Sequence, residues 1–208
     1  MAARHSFGMW ISIGAAATLA LIVGTSLLPR TAPSAPVKRL PAKASFVPAD
    51  RIRFPQNQAQ ALRLGDGTTR MVHSLLQVPA RMGFGEFRWD DRGVPSGPIW
   101  LRVDLGRQIV SVFRGADEIG TSVILYGQDA TPTPIGNFPI RGIERNHRSN
   151  SYDAEMPYTL WLTNDGVAIH GSDVREGLAT HGCIGVPLDF ARKLFGVVKR
   201  GDMVAVVR

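Results

Sequence analysis

The stretch IHGSDVREGLATHGCIGVP, Ile169 to Pro187, is where the reading of this chain turns. It holds the single cysteine, Cys183, and two of the five histidines, His170 and His181. Glycine adjoins all three: Gly171 follows His170, and Gly182 lies between His181 and Cys183. Glycine lets a backbone turn sharply and brings amide groups against a ligand. A thiol becomes a nucleophile when a base takes its proton, and the oxyanion formed by its attack needs backbone N–H donors around it. Each of those parts has a candidate in this segment.

Two histidines compete for the role of base. His181 precedes Cys183 by two positions, and the intervening Gly182 implies a turn that separates the side chains. His170 stands at the end of an expected strand, where a fixed backbone lets its ring face a loop that folds back. The base is therefore assigned to His170, with a backbone carbonyl such as that of Gly171 fixing its tautomer. Two bland alternatives exist. A free cysteine is often a small buried hydrophobe, and His170, His181 and Cys183 could share a zinc ion. The H-x-C spacing is cramped for zinc and matches no standard structural site, so no metal or other cofactor is expected. A lone cysteine also excludes an intramolecular disulfide.

Outward from this segment the signals are mostly β. After it, Leu188, Ala191, Leu194, Phe195 and Val198 recur at helical spacing, with Pro187 suited to the first turn. Gly201 ends that segment, and Met203 to Val207 reads as a last strand. Before it, Ile99, Leu101, Val103 and Leu105 alternate with Trp100, Arg102 and Asp104, a period of two. Turns at Gly106-Arg107 and Gly115-Ala116-Asp117 mark off strands Gln108 to Arg114 and Glu118 to Tyr126, an antiparallel meander. A rigid loop, Thr131 to Gly136, leads to a strand from Asn137 to Ile143. Glu144 to Pro157 is polar and irregular, either a surface loop or a flap over a site. Strands Tyr158 to Thr163 and Gly166 to His170 then meet at an Asn164-Asp165-Gly166 turn. The expected fold is mostly β, sandwich- or barrel-like, with one clear helix after the cysteine loop.

The N-terminal half is organised differently. Residues 56–96 are expected to pack on a domain spanning 97–208, with Ala59–Leu64 and Met71–Val78 each a short helix. Residues 29–55 are proline-rich and read as an extended spacer. Ser6 to Pro29 carry no charge and follow Arg4, so residues 1–28 are expected to form a transmembrane helix with the N-terminus in the cytoplasm. A cleaved signal peptide is the alternative. Its cleavage site needs small residues soon after the apolar run, and Ala42-Lys43-Ala44 lies far downstream, so a retained anchor is expected.

Of the 208 residues, 44% are hydrophobic, enough for one packed domain with an appendage. The formal net charge of +7 suits a polyanionic partner. Lys and Arg are scattered, and neither zinc-finger spacing nor an aromatic RNA-binding signature is present, so nucleic acid is not expected.

His170-Gly171 followed by Thr180-His181-Gly182-Cys183 resembles the signature of the L,D-transpeptidase catalytic domain, also called YkuD: an HG pair, a short variable stretch, then [S/T]-H-G-C. Thr131-Pro132-Thr133-Pro134-Ile135-Gly136-Asn137-Phe138, Met156-Pro157-Tyr158 and Gly201-Asp202-Met203-Val204 add to the resemblance, which covers about residues 97 to 207. It implies a β-rich fold, an extracytoplasmic (periplasmic or cell-wall-side) location and peptidoglycan stem peptides as substrate. Cys183 would be the nucleophile, His170 its base, and the Gly171 carbonyl the group that orients His170. The amides of His181, Gly182 and Cys183 would surround the oxyanion, and the Tyr158 and His181 side chains would contact substrate. One position departs from the family pattern: Gly185 stands where Arg or Asn is usual two residues after the cysteine. Arg175, Arg141 or Arg148 could supply a replacement charge. The expected activity is transpeptidation through a thioester. The alternatives are an L,D-carboxypeptidase on the same stems and a catalytically inert wall-binding anchor.

Overall fold

A computed structural model describes residues 50–78, 81–151 and 153–208. The expected transmembrane helix at residues 1–28 and the spacer up to residue 49 lie outside the described residues. Among the described residues no helix is long and apolar enough to cross a membrane.

The strands in chain order are β1 (Arg51–Arg53), β2 (Gln60–Arg63), β3 (Thr69–Val72), β4 (Ser74–Leu76), β5 (Phe87–Trp89), β6 (Ile99–Asp104), β7 (Ile109–Arg114), β8 (Asp117–Val123), β9 (Gly136–Pro139), β10 (Gly142–Glu144), β11 (Arg148–Ser149), β12 (Ala154–Glu155), β13 (Thr159–Trp161), β14 (Ala168–Ser172), β15 (Ile184–Pro187) and β16 (Met203–Val207). One α-helix, α1 (Leu188–Phe195), separates the last two. The larger sheet runs β1-β4-β8-β7-β6-β16-β9, with β5 also paired to β8; the smaller runs β10-β13-β14-β15. The inward residues of both sheets share one core. Leu101, Val103, Val110, Val112 and Ile119 come from the larger sheet, and Leu160, Ile169, Ile184 and Val186 from the smaller. Phe190, Ala191 and Leu194 of α1 complete it, with Phe190 edge-on to Phe87 and Trp89 at 5.7 and 5.6 Å. Each such fully buried side chain stabilises the fold by about 1.5–3 kcal/mol.

The period-two run at Ile99 does build β6, and the β6-β7-β8 meander is antiparallel. β8 ends sooner than the sequence suggests. Leu125 leaves it to exchange both backbone hydrogen bonds with Gly185, at 2.8 and 2.9 Å, tying the end of the larger sheet to the smaller. The strand expected over Asn137–Ile143 is split between the sheets. Ile140 N bonds Asp202 O at 2.9 Å, and the next amide, Arg141 N, bonds Trp161 O at 2.8 Å. Successive amides thus serve different sheets, with Pro139 at the switch.

The two helices expected at Ala59–Leu64 and Met71–Val78 are strands instead. Leu62 and Leu64 turn inward between exposed Ala61 and Arg63, and Val72, Ser74 and Leu76 are buried around exposed His73. Both patterns have period two. Between β2 and β3, Asp66 Oδ1 accepts from Thr68 N at 2.9 Å and from the Thr68 hydroxyl at 2.6 Å, and Gly67 takes φ +83°. β4 and β5 then pair with β8. Helix α1 stops at Phe195, short of Val198, and Leu188 is exposed; its buried face is Phe190, Ala191 and Leu194. The Glu144–Pro157 stretch contains the β11-β12 hairpin, where Arg148 is ion-paired to Glu155 and, at 2.6 Å, to Asp153.

Candidate active site

The smaller sheet brings the signature residues together. β14 and β15 are parallel, with Ile169 opposite Ile184 and His170 opposite Gly185. Ile169 and Ile184 point into the core. Strand side chains alternate, so His170 and Gly185 project from the outer face, and Cys183 lies in the bend immediately before β15. His170 lies inside β14, which continues to Ser172, rather than at a strand end. β15, which the sequence reading lacks, is the element that carries the cysteine to its place. A parallel strand of four residues, Ile184–Pro187, offers too few positions for a periodic signal.

His170 is 8% exposed. Its Nδ1 lies 2.9 Å from Gly171 O, so with that nitrogen donating, Nε2 carries the lone pair. Burial pushes the imidazole pKa down, the Gly171 carbonyl opposes this, and the like charge of His147 adds to it. The Cys183 thiol, half-buried, donates to Gly166 O at 3.6 Å. Burial pushes its pKa up, against the Ala168 backbone amide. Both groups therefore rest neutral, and no hydrogen bond joins them among the described residues.

The loop before Cys183 is braced by residues that sequence reasoning passed over. Gly182 takes φ +109°, which a residue with a Cβ rarely adopts. Its carbonyl accepts from the Thr133 hydroxyl at 2.9 Å, and that same oxygen accepts from Gly127 N at 2.9 Å. A Cβ on Gly127 would sit 2.1 Å from Thr131 O and 2.9 Å from Gly182 Cα, so only glycine fits. Thr180 bonds Cys183 O through its hydroxyl at 2.5 Å, and its amide reaches Tyr126 O at 3.0 Å. Thr133 belongs to the rigid loop Thr131 to Gly136, but nothing in the spacing assigns it this contact.

The remaining candidates sit as follows. His181 is exposed beside the cysteine. Tyr158 takes φ +58°, and its ring packs on Phe195 at 5.5 Å with the Arg145 guanidinium 5.8 Å above it. These contacts tie Tyr158 to the end of α1, and none joins it to Cys183 or His170. Arg141, Arg148 and Arg175 are all exposed, and Arg175 is paired with Asp173 at 2.9 Å. Gly185 has a steric explanation: a Cβ there would meet Ser172 Cβ at 2.9 Å and Leu125 Cβ at 3.3 Å. Ser172 and Leu125 fill the space that a larger residue would need.

The family model for the YkuD L,D-transpeptidase catalytic domain matches residues 98–206, just over half the chain. Among solved structures, an L,D-transpeptidase from Stackebrandtia nassauensis is 24% identical with a TM-score of 0.50, over 55% of this chain and 57% of that one. An LD transpeptidase solved in complex with imipenem is 25% identical with a TM-score of 0.50, over 52% of this chain and 58% of its own. An L,D-transpeptidase from Mycobacterium smegmatis is 20% identical with the same score, over 53% and 58%. The chain thus spans less than three fifths of these neighbours' lengths. No curated protein matches it.

Proposed function

Because this chain belongs to the YkuD L,D-transpeptidase catalytic domain family, we propose that it is a cysteine-dependent transpeptidase that remodels or cross-links peptidoglycan stems. The observation that carries the reading is the parallel pairing of β14 and β15, which sets His170, with its Nε2 free to accept a proton, opposite Gly185 on the strand that Cys183 immediately precedes. The thiol passes its proton to His170 as sulfur attacks the carbonyl of the third residue of a tetrapeptide stem. Backbone amides of His181, Gly182 and Cys183 receive the oxyanion. The imidazolium returns the proton to the departing D-alanine nitrogen, leaving a thioester. An amine from a second stem then forms the new amide, and water in its place makes the enzyme a carboxypeptidase. Ground-state neutrality of both groups fits this order, since charge appears only as the reaction proceeds.

The inert-anchor alternative rests on Gly185. The packing of Ser172 and Leu125 gives that residue a steric reason, so its presence does not by itself argue for an inert fold. The net charge of +7 suits a carboxylate-rich polymer. The deciding experiment is intact-mass spectrometry after incubation with a carbapenem. The wild type should gain one adduct and Cys183→Ala none; an adduct on the variant, or none on the wild type, sinks the thiol mechanism. We also propose that the uncharged run Ser6–Pro29 anchors the domain on the outer side of a membrane. N-terminal sequencing of the mature protein tests it, and a start near Pro36 or Ser45 would refute it.

A further inference from the structure

Glu144, His147 and Trp161 form a cluster on the same outer face, outside the residues assigned so far. Glu144 pairs with Thr159, and Trp161 with Gly142 and Ala168, so Glu144 and Trp161 project alongside the row that holds His170. One carboxylate joins the cluster. Glu144 Oε1 accepts from Trp161 Nε1 at 2.8 Å, and Oε2 lies 3.0 Å from His147 Nδ1. The His147 ring stands edge-on to Trp161 at 4.8 Å, and its backbone carbonyl accepts from Met156 N at 2.8 Å. With Nδ1–H given to Glu144, Nε2 is left as a proton acceptor on a ring still 28% open to solvent. A carboxylate behind an imidazole sets its tautomer and orientation, as in other acyl-transfer bases. The neighbouring charges are committed elsewhere. Arg148 is paired with Asp153 and Glu155, and Arg145 lies over the Tyr158 and Phe195 rings.

Transfer of an acyl group from sulfur to an amine must dispose of two protons. The acceptor arrives as an ammonium ion, which is no nucleophile until it loses one. A second leaves nitrogen as the amide forms. His170 can shuttle only one of them, because that one must return to the departing thiolate.

We propose that His147, held by Glu144, takes the first proton from the acyl acceptor's ammonium, and that the Glu144–His147–Trp161 wall is the acceptor subsite for an aliphatic primary amine. This rests on the thioester reading above. The ammonium gives a proton to His147 Nε2, and the free amine attacks the thioester carbonyl. The tetrahedral intermediate passes its N–H proton to His170, the C–S bond breaks, and the thiolate takes that proton back. His147 releases its own proton to solvent. Thioester and ammonium thus become amide, thiol and one free proton.

The test uses the full-length protein, a tetrapeptide stem as donor and a tripeptide stem with a side-chain primary amine as acceptor. Acylation is read by single-turnover mass spectrometry, and the thioester's partition between amine and water by product analysis across pH. His147→Asn should lose about 10²-fold in transfer to the amine near pH 7, within the range for loss of a general base and far more than any change in acylation caused by removing its charge near His170. The deficit should shrink as pH approaches the acceptor's own pKa, where free amine needs no base. Glu144→Gln should show a smaller loss of the same pattern. The assignment is overturned if acylation and transfer fall together, if transfer is unchanged, or if the deficit persists at high pH. A wild type that forms no thioester at all refutes the underlying reading instead, and does so before any variant is compared.

Discussion

Replacing Glu118 with Gln should make the protein more stable at pH 7 and above and leave it nearly unchanged near pH 4. Glu118 lies on β8 and is 4% exposed. Its Oε2 accepts from Leu76 N at 2.8 Å, an amide of β4, the strand that pairs with β8. Burial pushes its pKa from 4.5 up to about 7, and its bonds with Ser111 and Leu76 and the nearby Arg51 charge pull the other way. The folded state therefore binds the proton more tightly than the unfolded chain does. In that case stability is fully present below the unfolded pKa of 4.5 and is lost as pH rises through 7. At about 1.4 kcal/mol per unit the loss amounts to about 3 kcal/mol by pH 8. Glutamine keeps an acceptor for Leu76 N and has no proton to lose. The assay is denaturant unfolding of wild type and Glu118→Gln at pH 4, 5, 6, 7 and 8. The difference should grow from near zero to about 3 kcal/mol in favour of the variant. Parallel curves across the whole range would refute the coupling of this carboxyl to folding.

Gly185→Asn, which restores a residue type usual in the family, should cost about 1–3 kcal/mol because its Cβ overlaps Ser172. Ser172→Gly in the same chain should recover part of that cost in thermal unfolding, and simple additivity of the two changes would show that the contact is not the cause. His170→Ala should move the pH dependence of Cys183 alkylation upward and lower acylation by about 10²–10⁴-fold. His181→Ala should have the smaller effect on alkylation, since its backbone amide survives. The roles are reversed if His181→Ala alone shifts the alkylation profile.

The cysteine segment pointed to thiol acyl transfer as an expectation before any fold was in hand, because a thiol, two imidazoles and adjacent glycines in one short stretch are the parts such a reaction would require. The strands of the β6-β7-β8 meander, β16 and the position of α1 were equally legible, since each is a continuous run whose hydrophobic period depends only on its own residues. What lay beyond the sequence was set by pairing. The hairpin in residues 60–72 carried a period-two pattern that was misread as helical because its strands are only four residues long. β15 pairs in parallel with β14, a contact across an intervening loop that no local period reports. That pairing sets His170 opposite Gly185, with Cys183 just before the strand. The β10-β13-β14 registers decide that Glu144 and Trp161 join them, and Thr133 reaches Gly182 from 49 residues away. Residue types fix which reactions are possible, whereas the distances at which side chains meet come from register and packing, which exist only once the sheets have closed on their common core.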